Sequence, residues 1–97
     1  MDRFKLSWYV YILQCSDNSY YTGHTNNLEN RLKKHNSGHG AAYTRSRLPV
    51  KIIYNESHPD RSSALKREIQ IKKWSRDKKM ALIKNDTEKH QVMKFSR

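Results

Sequence analysis

Cysteine occurs once, as Cys15. One thiol permits neither an internal disulfide nor a zinc site built from several cysteines. Within a strand-like run it is expected as a small buried side chain rather than a nucleophile. Long apolar runs are missing as well, since nothing approaches the roughly 20 residues that span a bilayer. No signal-peptide pattern opens the chain, and no repeat or low-complexity segment interrupts it. A reduced, cytoplasmic, soluble protein is expected. Acidic side chains are also scarce: 9 Asp plus Glu stand against 20 Lys plus Arg, a net charge of +11 on 97 residues. A chain of this length makes one small domain. A surplus of that size gives a positive field that favours a polyanion, nucleic acid before an anionic membrane surface. A basic surface that serves only solubility is the plain alternative.

What remains is clustered in periodic runs. Met1 to Leu6 is a short, partly basic leader. Ser7 to Gln14 (SWYVYILQ) is dense in aromatic and β-branched residues. It reads as a strand apolar on both faces, and therefore central in its sheet. Tyr20 to His24 supplies a return strand after the polar Ser16-Asp17-Asn18-Ser19 link. The link decides the register. A two-residue turn at Asp17-Asn18 would set Tyr11 opposite His24 and send Tyr21 to the other face. A three-residue link, Ser16 to Asn18, sets Tyr11 opposite Gly23 and makes Tyr21 its diagonal neighbour on the same face. A joint role for the two tyrosines requires the second arrangement, with Tyr20 facing away into the core.

Asn26 to Asn36 reads as a first helix, capped by Asn26 with Glu29 reaching back and stopped by Gly38. Its inward stripe is Leu28, Arg31, Leu32 and His35. Gly38 to Pro49 reads as a loop whose His39, Tyr43, Arg45 and Arg47 suit phosphates and an unstacked base; incidental surface charge is the alternative. Val50 to Glu56 is a third strand after Pro49. A second helix, capped by Asp60 or Ser62, runs to about Trp74, with Ala64, Leu65, Glu68, Ile71 and Trp74 inward. Ser75 caps a third helix, Arg76 to Lys84, whose Met80 and Ile83 pack back. The polar residues from Asn85 to Arg97 are expected to form a mobile tail. The order is β-β-α-β-α-α, one α/β (α+β) domain over residues 1–84 with its core at about 7–84.

Arg31 and Glu68 each put a charge on an otherwise apolar stripe, where an unpaired charge is expensive. A buried salt bridge between them is one explanation. The other is a cleft beside the tyrosine hairpin, where Arg31 meets an anion and Glu68 a metal. His24, His39, His58 and His90 lack the spacing of a transition-metal site.

These residues resemble the GIY-YIG nuclease superfamily, in its small stand-alone bacterial branch. Tyr9-Val10-Tyr11 stands where the family has GIY, and Tyr21-Thr22-Gly23 where it has YIG. Arg31, within Asn27-Leu28-Glu29-Asn30-Arg31-Leu32, matches the arginine of the family's first helix. Glu68, within Ala64-Leu65-Lys66-Arg67-Glu68, matches its metal-binding glutamate. Ala42-Tyr43-Thr44-Arg45 and Ile71-Lys72-Lys73-Trp74 are typical of the small branch. The likeness covers about Ser7 to Lys84. Tyr9 replaces the glycine of the first triplet and Thr22 the isoleucine of the second. His24 stands where many members carry lysine, and His35 at a position often aromatic.

The resemblance implies a three-stranded antiparallel sheet packed against helices, and divalent-metal-dependent cleavage of a DNA phosphodiester. A single Mg²⁺ or Mn²⁺ on Glu68 would act on the leaving oxygen while keeping several waters. Arg31 offers a bidentate fork to the non-bridging oxygens. Tyr21 is the preferred general base, which requires a pKa below its usual value near 10, and Tyr11 orients water or phosphate. His35 contacts a phosphate or holds a tyrosine; a satisfied, partly buried histidine is the equal alternative. His24, Tyr43, Arg45 and Arg47 are expected to contact nucleic acid. The expected partner is DNA, branched or single-stranded forms included, bound by a monomer with no membrane and no small-molecule cofactor. A non-catalytic nucleic-acid-binding module of the same fold is the alternative, and a protein-interaction module a third reading.

Overall fold

The computed structural model describes residues 7–95, with side chains in the last helix described as far as Asp86. The leader Met1 to Leu6 and residues 96–97 lie outside the described residues. The apolar run Trp8–Gln14 forms β1, and Tyr20–Thr25 forms β2 antiparallel to it. Lys51–His58 forms β3, which runs on past the expected end at Glu56 and pairs with the other side of β1. The sheet order is therefore β2-β1-β3, with β1 central as its two apolar faces require. Val10, Tyr11, Ile12 and Leu13 are all essentially inaccessible to solvent.

The hairpin takes the three-residue link. Tyr11 pairs with Gly23, and Gln14 with Tyr20. Cys15 N–H donates to the Ser19 carbonyl at 2.9 Å, and Asn18 N–H to the Cys15 carbonyl at 2.9 Å. Asn18 adopts φ +69°, the left-handed conformation that closes three-residue hairpins and that asparagine tolerates. The turn propensity of Asp17-Asn18 is thus met inside a longer loop, and Tyr11 and Tyr21 share a face.

The first helix, α1 (Leu28–Asn36), is capped one residue later than expected. Thr25 Oγ1 accepts from Asn27 N–H at 3.1 Å, which leaves Asn27 as the cap, accepting from Asn30 N–H at 3.0 Å. Glu29 does not reach back; it is exposed and lies 3.8 Å from Lys33. Gly38, at φ +86°, follows the helix end as expected. The following loop contains one helical turn, α2 (Ala42–Arg45), that sequence patterning does not indicate. Asp60 caps α3 (Arg61–Lys72) through Ser63 N–H at 2.8 Å, and Ser75 caps the next helix through Lys78 N–H at 3.2 Å.

That last helix, α4 (Arg76–Phe95), continues well beyond the expected stop at Lys84. The residues after Lys84 contain no glycine or proline and are rich in straight-chain helix formers, so nothing stops the helix at Lys84. Hydrophobic periodicity misses such a segment because its helix carries little apolar stripe. Among the described residues, no helix is long and apolar enough to cross a membrane.

The sheet separates two cores. On one face Val10 and Ile12 pack with Ala64 and Ile71 of α3, ringed by Trp8, Tyr20, Trp74, Leu82 and Ile83. On the other, Tyr11, Leu13, Cys15 and Val50 pack with Tyr21, Leu28 and Leu32. Two expected inward residues stay outside: Leu65 is 39% exposed and Met80 is 46% exposed. In α3 the buried line is Ala64, Glu68 and Ile71, and Leu65 falls one position beside it. The Asn36 amide fixes the end of α1 to the start of β3, donating to the Val50 carbonyl at 3.0 Å and accepting its N–H at 2.8 Å.

Candidate active site at the edge of the sheet

β2 is an edge strand, and Gly23 leaves it without a side chain midway along. Tyr11, from the central strand, uses that gap. A Cβ at Gly23 would sit only 2.5 Å from the Tyr11 hydroxyl oxygen, so the phenol lies across β2 and delivers its hydroxyl to the sheet edge. Arg31 donates to that oxygen through Nε at 3.3 Å, and His35 Nε2 lies 3.0 Å away. The Tyr21 ring packs edge-on against His35, with centroids 5.4 Å apart.

The hydrogen bonds around His35 fix their own direction. Thr44 donates its hydroxyl to the Ala41 carbonyl at 3.0 Å. Its oxygen must then accept from His35 Nδ1, 2.9 Å away. Nδ1 therefore carries the imidazole proton, Nε2 is an acceptor, and Tyr11 donates to it. One oriented chain runs from Arg31 through Tyr11 and His35 to Thr44 and the α2 backbone. Burial, then the charges of Arg31 and Lys34, hold the His35 pKa down to about 4, so the ring is neutral. Burial raises the Tyr11 pKa against the opposing hydrogen bond and charge of Arg31, with smaller increments from Tyr21 and Glu68. Arg31 is held in its charged form first by the Tyr11 hydrogen bond. Gly40 belongs to this arrangement too: a Cβ there would come within 2.4 Å of His35 Nδ1.

Glu68 approaches from the opposite face. It lies between Ala64 and Ile71 on α3 and is 8% exposed. It does not pair with Arg31, so the buried salt bridge that the sequence allows is not made. Its Oε1 is bound by His24 Nδ1, the β2 residue next to Gly23, and its Oε2 by Lys72 Nζ at 2.6 Å. Lys72 is one helical turn from Glu68, half exposed, with its Nζ also 5.7 Å from the Tyr21 ring centroid. It bridges the two halves of the site. Its ammonium shows that a cation is accommodated on Oε2, so a buried carboxylate beside a half-exposed lysine fits one divalent ion that keeps most of its waters. Among the described residues, no group of three or more His, Cys, Asp or Glu converges, so Glu68 would be the anchor.

The candidate residues from the α2 segment divide. Tyr43 stacks on Tyr21, with centroids 6.2 Å apart, and is 40% exposed. Arg47 covers the Tyr43 ring at 3.9 Å, but its Nε is bound to Asp17 at 3.1 Å and its Nη1 to the Tyr43 carbonyl at 2.7 Å. Arg45 is exposed at the end of α2, facing solvent. Sequence reading gave no role to Lys72 or Thr44. The spacing of four from Glu68 was a usable signal for Lys72, whereas only the folded loop brings Thr44 to His35.

The family model for the GIY-YIG catalytic domain matches residues 7–81. A UPF0213 protein of Syntrophus aciditrophicus is 56% identical over 82 residues, 84% of this chain and 94% of its own. One from Streptococcus sanguinis is 49% identical over 80 residues, 82% of this chain and 92% of its own. The solution structure of a UPF0213 protein from Bacillus halodurans superposes with TM-score 0.53 at 43% identity, covering 81% of this chain and 84% of that one. A solution structure from E. faecalis gives TM-score 0.58 at 43% identity, covering 84% and 86%. The chain belongs to the GIY-YIG nuclease superfamily, within the small stand-alone UPF0213 family.

Proposed function

We propose that this chain is a metal-dependent endonuclease that hydrolyses phosphodiester bonds of DNA in processing or repair. It acts in the cytoplasm as a single catalytic domain and a monomer. The observation that carries the reading is the meeting at Gly23 of two half-sites: the Arg31–Tyr11–His35 chain on one face, and Glu68 with a cation on its Oε2 on the other.

Glu68 would hold one Mg²⁺ or Mn²⁺, with Lys72 swinging aside. When bound, the ion supplies Lewis-acid stabilisation to the leaving oxygen. Arg31 keeps its Nη groups for the non-bridging oxygens while Nε stays on Tyr11. Burial raises the Tyr11 pKa and lowers that of His35, so the shared proton stays on Tyr11. Tyr11 is therefore the positioning hydroxyl. Tyr21, flanked by Arg31 and the Lys72 ammonium, is the general base that takes the proton of the attacking water. His24 holds Glu68 in place, and Tyr43 with Arg45 lines the approach for the nucleic acid.

The occupation of both Glu68 oxygens by His24 and Lys72 favours a second reading, a nucleic-acid-binding module without catalysis. Incubation with duplex, single-stranded and branched DNA, with Mg²⁺, Mn²⁺ or chelator, separates the two. Metal-dependent cleavage that is lost in Glu68→Ala and Tyr21→Phe supports the nuclease. Cleavage indifferent to both substitutions refutes this site, and binding without any cleavage supports the module.

A further inference from the structure

Tyr20 and Tyr21 are consecutive in β2 and face opposite cores. Beyond Tyr20, at the elbow between α3 and α4, lies a set of cations that the catalytic site does not use. Arg76 lies over the Tyr20 ring at 4.2 Å from Cζ to centroid. Lys78 lies over the Trp74 ring at 4.4 Å. Lys73 is exposed between them and Lys72. Among the described residues, no carboxylate is within ion-pair distance of Lys73, Arg76 or Lys78, although Asp77 sits between the last two in the chain.

The contrast with the other basic groups is chemical. Arg47 has Asp17 and a backbone carbonyl. Arg67, which also lies against Trp74, is bound to Glu56 at 2.9 Å. Each is thus neutralised by a carboxylate of its own. A cation resting on an aromatic face is held in position, yet its N–H groups still point outward for an anion. Two such groups, on rings that both border the Val10–Ile12 core, suit phosphates of one nucleic-acid backbone.

We propose that Arg76 and Lys78, with Lys73 beside them, form a phosphate-binding subsite. It would hold the DNA backbone where it leaves the Glu68 side of the sheet edge. The inference rests on the nuclease reading for the identity of the ligand, and its test reads binding without cleavage. The full chain is titrated into a fluorescein-labelled DNA duplex in EDTA, and anisotropy is followed between about 50 and 200 mM salt. Arg76→Ala with Lys78→Ala is compared with the wild type and with Lys33→Ala plus Lys34→Ala on the exposed face of α1.

The elbow pair is expected to lower the slope of log affinity against log salt by about 1.8, close to 0.9 for each phosphate contact. Affinity should fall about tenfold or more, while Arg76→Lys with Lys78→Arg keeps the wild-type slope. The α1 pair removes the same charge and should leave the slope close to that of the wild type. An unchanged slope in the elbow variant overturns the proposal. So does an equal drop in the α1 variant, because net charge alone would then be at work. A reduced slope in a protein that cleaves no DNA under any metal condition supports the subsite and refutes only the nuclease reading.

Discussion

Thr44→Val isolates the hydrogen-bond chain behind Tyr11. Thr44 is fully buried, and its hydroxyl both donates to the Ala41 carbonyl and accepts from His35 Nδ1. Valine fills the same volume without the hydroxyl. The imidazole proton then either stays on Nδ1 without a partner, or moves to Nε2. In the second case the Tyr11 oxygen faces two donors, Nε2–H and Arg31 Nε–H, and its own hydrogen loses its acceptor. Each outcome leaves a buried polar group unpaired, at a cost of about 1–3 kcal/mol. Urea unfolding reads that loss, and two-bond proton–nitrogen NMR of His35 reads the tautomer directly. Wild type and Thr44→Ser are expected to show the Nδ1–H form, and under the proposed function Thr44→Val is expected to cut the cleavage rate about tenfold. Titration adds a second reading of the same ring. The native imidazole protonates near 4 and the unfolded one near 6.5. The unfolded state therefore binds more protons between those values, and stability rises with pH across that window. The span corresponds to about 3 kcal/mol, present above pH 6.5 and lost as pH falls through 4. An Nε2–H tautomer in the wild type, or a Thr44→Val protein of unchanged stability, would refute the chain.

Three other substitutions give independent checks. Thr22 Oγ1 is buried with no hydrogen-bond partner among the described residues, so Thr22→Val is expected to stabilise by about 1 kcal/mol, visible as a higher Tm. Gly23→Ala drives a methyl into the Tyr11 phenol; it should cost about 1–3 kcal/mol and depress any cleavage with it, and an unaffected Tm would show that Tyr11 does not cross the strand there. Glu56 accepts from Tyr54 at 2.6 Å, His58 at 2.7 Å and Arg67 at 2.9 Å. Burial opposes its ionisation, yet these bonds keep its pKa below the usual carboxylate value; Glu56→Gln should lower the unfolding free energy measured in urea by about 1–3 kcal/mol while leaving DNA binding intact.

The parts of this fold that are legible in the sequence are those carried by strong local patterns. The β1 run is apolar on both faces and lands in the centre of the sheet. The register is also readable, because the requirement that Tyr11 and Tyr21 share a face selects the three-residue link, and Asn18 supplies the left-handed residue that link needs. Arg31, His35 and Glu68 stand out as polar residues on apolar stripes, and all three prove buried or partly buried. Their partners are not legible, because partner choice depends on which face each helix covers. α1 and α3 pack on opposite faces, so Arg31 meets Tyr11 while Glu68 meets His24 and Lys72. The α2 turn has too few residues to show a period. The outer half of α4 has no apolar stripe to betray it, so its polar composition resembles a tail.

The central claim is that Glu68 anchors a metal on which DNA cleavage depends. Single-turnover cleavage of a DNA duplex at saturating protein tests it most directly, comparing wild type with Glu68→Gln in Mg²⁺ and in EDTA. The predicted result is a rate that falls roughly 100-fold or more on either change, with anisotropy showing unaltered DNA binding. Cleavage that persists at the wild-type rate in Glu68→Gln or in EDTA would contradict it.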